Sequence, residues 1–191
     1  WEYSPIRFDD GEPHTEEVID ELFPGNPLLC VGHTSSRFDT KSREEWRGQL
    51  SQAQLIVPNT MAKEKGLTKG GRLSPRSLDN TGARRFLVVE CDEGSEDTQA
   101  AILSRLGRFL PLVLVVLSGG KSVHGWFFCE GVPEGDLLKF MRFAVSLGAD
   151  HATWSPCQLV RMPDGQRDNG KRQRIVFFNP GPVKSGVSCD G

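Results

Sequence analysis

The sequence predicts an α+β fold whose second half is a split βαβ unit. Three observations carry this. Short, strongly apolar runs begin at Phe86, Leu112 and Ser122 and are separated by turn signals. Two helical stretches fall between or after them, opened by Ser95 and by Glu134. Ser118-Gly119-Gly120-Lys121 joins the second and third runs as a hairpin turn. The order from residue 86 is β-α-β-β-α-β with one further strand.

The elements follow in chain order. Residues 1–14 have little periodicity and read as an irregular lead-in. Thr15 to Leu22 reads as a helix stopped by Pro24-Gly25, and Leu28 to Val31 as a strand. Ser42-x-x-Glu45 is a capping-box pattern and predicts a helix to about Ala53. Gln54 to Val57 follows as a strand ended by Pro58-Asn59, and residues 60–84 as a long basic loop. Phe86 to Asp92 is a strand of buried character. Ser95 caps a helix whose first turn holds Glu96 and Asp97, which suits the helix dipole, and which runs to about Leu110. Leu112 to Leu117 reads as a central strand and Ser122 to Cys129 as its hairpin partner. Glu134 to Leu147 is amphipathic and ends at Gly148. Cys157 to Met162 and Arg174 to Phe178 complete the strands. The whole reads as an N-terminal α/β lobe, residues 1–84, with a basic loop at 60–85, and an RRM-like (RNA-recognition-like) module, residues 85–191. Together they make one domain. Both helices cover one face of such a sheet, which leaves the other face open for a site.

The 191 residues suffice for a real core, and a 37% hydrophobic, 25% charged composition is that of a globular protein. No apolar run approaches the roughly 20 residues of a membrane span. The acidic N-terminus lacks a signal-peptide pattern, and a chain opening on Trp1 reads as a domain cut from a longer protein. Cys30, Cys91, Cys129, Cys157 and Cys189 are scattered, which points to free thiols in a reducing cytoplasm. Cys30-x-x-His33 has a metal-ligand spacing, but no second pair completes a zinc site. The net charge of −2 conceals segregation: residues 9–21 are acidic, and 63–85 and 161–174 are basic. Such clusters serve as solvated loops or as a phosphate track.

Glu90 and Asp92 are two apart on a strand, so both carboxylates share a face and call for a cation, Mg²⁺ or Mn²⁺ by ligand chemistry. At a frayed strand end the same pair would simply be solvated. Ser122 and His124 likewise share a face, beside Lys121 and a Gly-Gly turn whose N–H groups favour anions. A histidine here can also be a core residue tied to a backbone carbonyl. Gly120-Lys121-Ser122 is no P-loop, because Val115 stands where the first glycine is required and a strand follows the serine. Asp150 follows the second helix and reads alone as a turn residue. Arg161 and Arg167 lie beyond it and suit a triphosphate.

Taken jointly, Glu90-x-Asp92, Ser122-x-His124 and Asp150 resemble the three motifs of the archaeo-eukaryotic primase superfamily, the primase-polymerases. The intervals, 32 residues from Asp92 to His124 and 26 from His124 to Asp150, are similar to those of compact members. Arg161-Met162-Pro163 through Asn179-Pro180 looks like phage, plasmid and mobile-element members. The resemblance covers residues 85–180 and departs from the family in carrying Glu90 where Asp is usual. It implies that Glu90, Asp92 and Asp150 are catalytic and hold two divalent ions, Mg²⁺ or Mn²⁺. It further implies that Lys121, Ser122, His124, Arg161 and Arg167 bind the (d)NTP, and that the template is single-stranded DNA. A helicase is the usual companion in the parent protein, and mobile-element replication in the cytoplasm the usual setting. Two other classes compete. A non-catalytic RRM-like module would bind single strands by stacking bases on sheet aromatics. A replication-initiator nuclease would need a His-x-His pair and a tyrosine nucleophile, and the one tyrosine, Tyr3, lies in the lead-in.

Overall fold

Five strands form one antiparallel sheet with the split βαβ order, and a second sheet lies across one of its faces. A computed structural model describes residues 1–185; Cys189 lies outside them. In chain order the elements are α1 (Thr15–Leu22), β1 (Leu28–Gly32), β2 (Phe38–Ser42), α2 (Arg43–Trp46), β3 (Leu55–Ile56), β4 (Gly66–Leu67), β5 (Leu73–Ser74) and β6 (Phe86–Cys91). Then come α3 (Glu96–Leu106), β7 (Leu112–Leu117), β8 (Val123–Phe128), α4 (Glu134–Ser146), β9 (Ala149–Asp150), β10 (Val160–Arg161), β11 (Ile175–Phe178) and α5 (Gly181–Ser185). The fold is α+β with antiparallel sheets. No helix among the described residues is long and apolar enough to cross a membrane.

The main sheet runs β11-β7-β8-β6-β9. β8 lies antiparallel between β6 and β7, so β6-α3-β7 is the split unit and β8 fills the split. The fourth strand is not Cys157–Met162. Its place beside β6 is taken by the two-residue β9, while Val160–Arg161 crosses to the other sheet and pairs with β3. That second sheet has the order β10-β3-β1-β2. β2 was not legible in the sequence, because Phe38-Asp39-Thr40-Lys41-Ser42 is too polar to read as a strand. The capping box at Ser42 is real, with Ser42 Oγ accepting from the Glu45 N–H at 3.3 Å. It opens only one turn: the chain leaves the helix at Arg47, whose ψ is 131°, and then passes Gly48 at φ +76°. α3 likewise stops at Leu106, four residues short of its expected end, at Gly107.

Alternation along β6 divides the apolar residues between two cores. Leu87, Val89 and Cys91 pack with Leu103 and Leu106 of α3 and Leu137, Phe140 and Met141 of α4. Phe86 and Val88 pack with Trp126, Val18, Ile19, Leu29 and Ile56 of the N-terminal lobe. The face expected to be open is therefore covered over most of its length by α1 and the second sheet. Only its Glu90 end carries polar side chains. Gly125 on β8 is required by packing, because a Cβ there would lie 2.6 Å from Leu103 Cδ2. Asn59, fully buried, ties the lobes: its Oδ1 accepts the N–H groups of Arg85 (2.7 Å) and Phe86 (3.0 Å), and its Nδ2 donates to Pro156 O (2.9 Å).

Candidate active site

Register brings the three fragments together. Glu90 on β6 is the direct cross-strand partner of His124 on β8 and of Asp150 on β9. Directly opposed residues of antiparallel strands point to the same face, so Asp150, Glu90 and His124 form one row across three strands. Asp92 lies two residues beyond Glu90, past the end of β6. The two-residue strand after Gly148, invisible to periodicity, is what carries Asp150 into the row.

The row is graded from exposed to buried. Asp150 and Asp92 have 39% and 41% of their side chains exposed, Glu90 27% and His124 3%. Burial pushes the Glu90 carboxyl above its ordinary range, and the charges of Asp150 and Asp92 push the same way. The Ser122 hydroxyl and Arg161 oppose the rise. Burial drives His124 down to about 3, with Arg161 adding to the shift, so the ring is neutral at physiological pH. The 3.5 Å approach of His124 Nε2 to Glu90 Oε1 is therefore not an ion pair. With Glu90 and the Ser122 hydroxyl (3.4 Å) both at Nε2, the neutral ring is best assigned its proton there. Among the described residues no backbone carbonyl ties this ring: Nδ1 is buried without a partner, as is Trp126 Nε1 two residues along the same strand.

Ser118 organises the turn beside the row. Its Oγ accepts the N–H groups of Gly120 (3.3 Å) and Ser122 (3.2 Å) and the Ser122 hydroxyl (3.0 Å). Its carbonyl accepts Arg167 Nη1 at 3.1 Å. Gly119, at φ +71°, permits this closure, since a Cβ would sit 3.0 Å from Arg172 O. Arg161 Nη1 reaches Gln54 Oε1 at 3.5 Å, and its guanidinium is destabilised by burial and by Arg167 nearby. Lys121 is exposed and sits 3.3 Å from Asp92 Oδ2. The segment bearing Arg161 and Arg167 is fastened by Asp164, a buried residue at φ +58° that Arg172 Nε contacts at 2.6 Å and the His14 N–H at 2.7 Å. Ser118, Gln54, Asp164 and Arg172 were not singled out by sequence. For Ser118 a signal existed: a serine immediately before Gly-Gly, whose side chain can cap the turn.

Every residue that the sequence proposed therefore falls in one neighbourhood. The three carboxylates are not drawn into a ready cage. Among the described residues no three His, Cys, Asp or Glu side chains are arranged to hold a metal ion. Asp92 faces Lys121, and Asp150 Oδ1 accepts the Ala152 N–H at 2.9 Å. By donor chemistry the set still fits a hard cation: three carboxylates, one of them held partly buried against two others, the electrostatic situation that Mg²⁺ or Mn²⁺ relieves. Comparison with protein-family models, with curated proteins and with solved structures gives no match.

Proposed function

We propose that the chain is a primase-polymerase domain, which joins a nucleotide from a (d)NTP to a 3′-hydroxyl on a single-stranded DNA template. One observation carries the proposal: Glu90 lies in register between His124 and Asp150, with acids on one side and anion-binding groups on the other. Glu90, Asp92 and Asp150 would hold two divalent cations, Mg²⁺ or Mn²⁺. When bound, these lower the pKa of the attacking hydroxyl and neutralise the departing pyrophosphate. The neutral His124 donates from Nε2 to a phosphate oxygen, and the Ser122 hydroxyl and the turn N–H groups donate beside it. Lys121 leaves Asp92 for the triphosphate at little cost, because an ion pair this exposed is worth at most about 1 kcal/mol. Arg161 and Arg167 offer the planar guanidinium suited to phosphate, and within the basic 63–85 segment the exposed Lys65, Lys69 and Arg72 grip template phosphates, whereas Lys63, Arg84 and Arg85 are ion-paired to Asp79, Glu134 and Glu130.

The RRM-like binding module fits less well. The aromatics of β6 and β8 on this face, Phe86, Trp126 and Phe128, are buried under the N-terminal lobe and cannot stack on bases. The test is primer extension and de novo synthesis on single-stranded DNA, with labelled ATP and dATP and with Mn²⁺ against Mg²⁺. Asp150→Asn serves as the site control and is expected to abolish incorporation. Unchanged incorporation by Asp150→Asn would remove Asp150 from the site.

A further inference from the structure

The β4–β5 hairpin, Gly66 to Ser74, exposes its apolar residues instead of burying them. Leu67 and Leu73 are direct cross-strand partners, so both side chains leave the same face, and they are 55% and 71% exposed. With Leu78 they make up three of the seven large exposed hydrophobic residues of the described chain, within one short stretch. The hairpin is nevertheless stiffly mounted. Buried Asn80 donates from Nδ2 to Pro75 O (2.8 Å) and Lys63 O (3.2 Å) and accepts the Ser77 N–H (2.7 Å). Asp79 Oδ2 accepts the Leu67 N–H at 2.9 Å. Gly66 fits against this hub only because it lacks a Cβ, which would lie 2.7 Å from Asn80 N. Around the leucine pair stand Lys65, Lys69 and Arg72, all exposed and without an ion-pair partner among the described residues, whereas Lys63 is neutralised by Asp79 at 3.0 Å. The hairpin's foot is bound to the segment that follows Asp150, through Arg76 Nη1 to Cys157 O at 3.1 Å.

From this we infer that the Gly66–Ser74 hairpin holds the single-stranded template outside the active site by contacting its bases as well as its phosphates. Leu67 and Leu73 lie against exposed base faces while Lys65, Lys69 and Arg72 hold the flanking phosphates. Charge complementarity selects a polyanion, and the leucine pair selects a strand whose bases are unpaired and offer apolar faces. The inference rests on the template assigned in the proposed function, but it concerns binding and not chemistry.

The experiment is fluorescence anisotropy with a labelled single-stranded oligonucleotide and with an abasic strand of equal length and charge, each at several salt concentrations. The wild-type chain should prefer the base-bearing strand. Leu67→Ser with Leu73→Ser should weaken that strand roughly fivefold, the effect of exposing part of a leucine pair, and leave the abasic strand unchanged. Lys65→Ala, Lys69→Ala and Arg72→Ala together should weaken both strands and reduce the slope of log affinity against log salt by about 2. All five positions are exposed, so the variants should fold, which circular dichroism and melting check. Equal binding of the two strands by wild type, or a leucine variant that binds the base-bearing strand as wild type does, overturns the inference. Loss of base-dependent binding in the leucine variant upholds it, even where no nucleotide is incorporated. Incorporation with hairpin variants that bind normally overturns it and leaves the catalytic proposal standing.

Discussion

Glu90→Gln should stabilise the metal-free protein while destroying its site. The wild-type carboxylate is directly opposite Asp150, lies within reach of the charge of Asp92 and is largely withdrawn from water. Like charges directly opposed across strands cost roughly 0.2–1 kcal/mol, and burial adds to this. The Ser122 hydroxyl and Arg161 return part of it, and the exposure of Asp150 and Asp92 screens the repulsion. The net gain on neutralising Glu90 is then about 1 kcal/mol, a rise in melting temperature of about 2–4 °C for a chain of this size. The pH dependence follows from sign. A carboxyl raised in the folded state favours folding below its unfolded value, near the ordinary 4.5, and loses that contribution as pH rises through the folded value. The variant's advantage should therefore be absent in acid and appear on moving to neutral pH. The assay is thermal melting with EDTA and then with Mn²⁺. At ten times its dissociation constant, Mn²⁺ should stabilise wild type by about 1.4 kcal/mol and the variant by much less. A variant that melts lower than wild type in EDTA at neutral pH, or equal Mn²⁺ stabilisation of both, would refute the reasoning.

Four further outcomes are expected. His124, held at about 3 against an ordinary 6.5, contributes stability above pH 6.5 that is lost as pH falls toward 3, by up to about 1.4 kcal/mol per pH unit. Urea midpoints measured across that window without metal should fall more steeply for wild type than for His124→Asn. The same substitution should raise the Michaelis constant for nucleotide without unfolding the domain at neutral pH. Asn59→Ala leaves one buried N–H, one part-buried N–H and one part-buried carbonyl unpaired and should cost about 2–4 kcal/mol by urea titration. Ser118→Ala should leave melting within about 1–2 kcal/mol of wild type but weaken nucleotide binding, since it frees the turn N–H groups and the Ser122 hydroxyl; tight binding by this variant would detach the turn from the site.

The central strands, both long helices and the hairpin turn were legible because their signals are local: apolar runs, capping residues and a Gly-Gly pair. The i, i+2 spacing pairs Glu90 with Asp92 and Ser122 with His124, and these are near neighbours in the structure although Asp92 and Ser122 lie just outside β6 and β8. What sequence could not supply was tertiary pairing. A two-residue strand has no period, so β9 was invisible although it sets Asp150 opposite Glu90. Cys157 to Met162 reads as a strand, of which only Val160–Arg161 is one, and nothing local says which sheet a strand joins. The covering of the second face follows from α1 and the N-terminal sheet packing on Val88 and Trp126, contacts between residues far apart in sequence. Arg172 and Asp164 looked like ordinary members of a basic loop until their pairing became visible.

The most direct test sets chemistry against binding in a single variant. Glu90→Ala with Asp92→Ala removes two negative charges from the site and leaves Lys65, Lys69, Arg72 and the other cations in place. Labelled-nucleotide incorporation and oligonucleotide anisotropy are then measured on the same preparations, with Mg²⁺ and with Mn²⁺. The account predicts that wild type incorporates nucleotide, and that the double variant incorporates none while binding single-stranded DNA as tightly or more tightly. Primer extension by the double variant would contradict it, as would a wild-type chain that binds DNA and incorporates nothing with either metal.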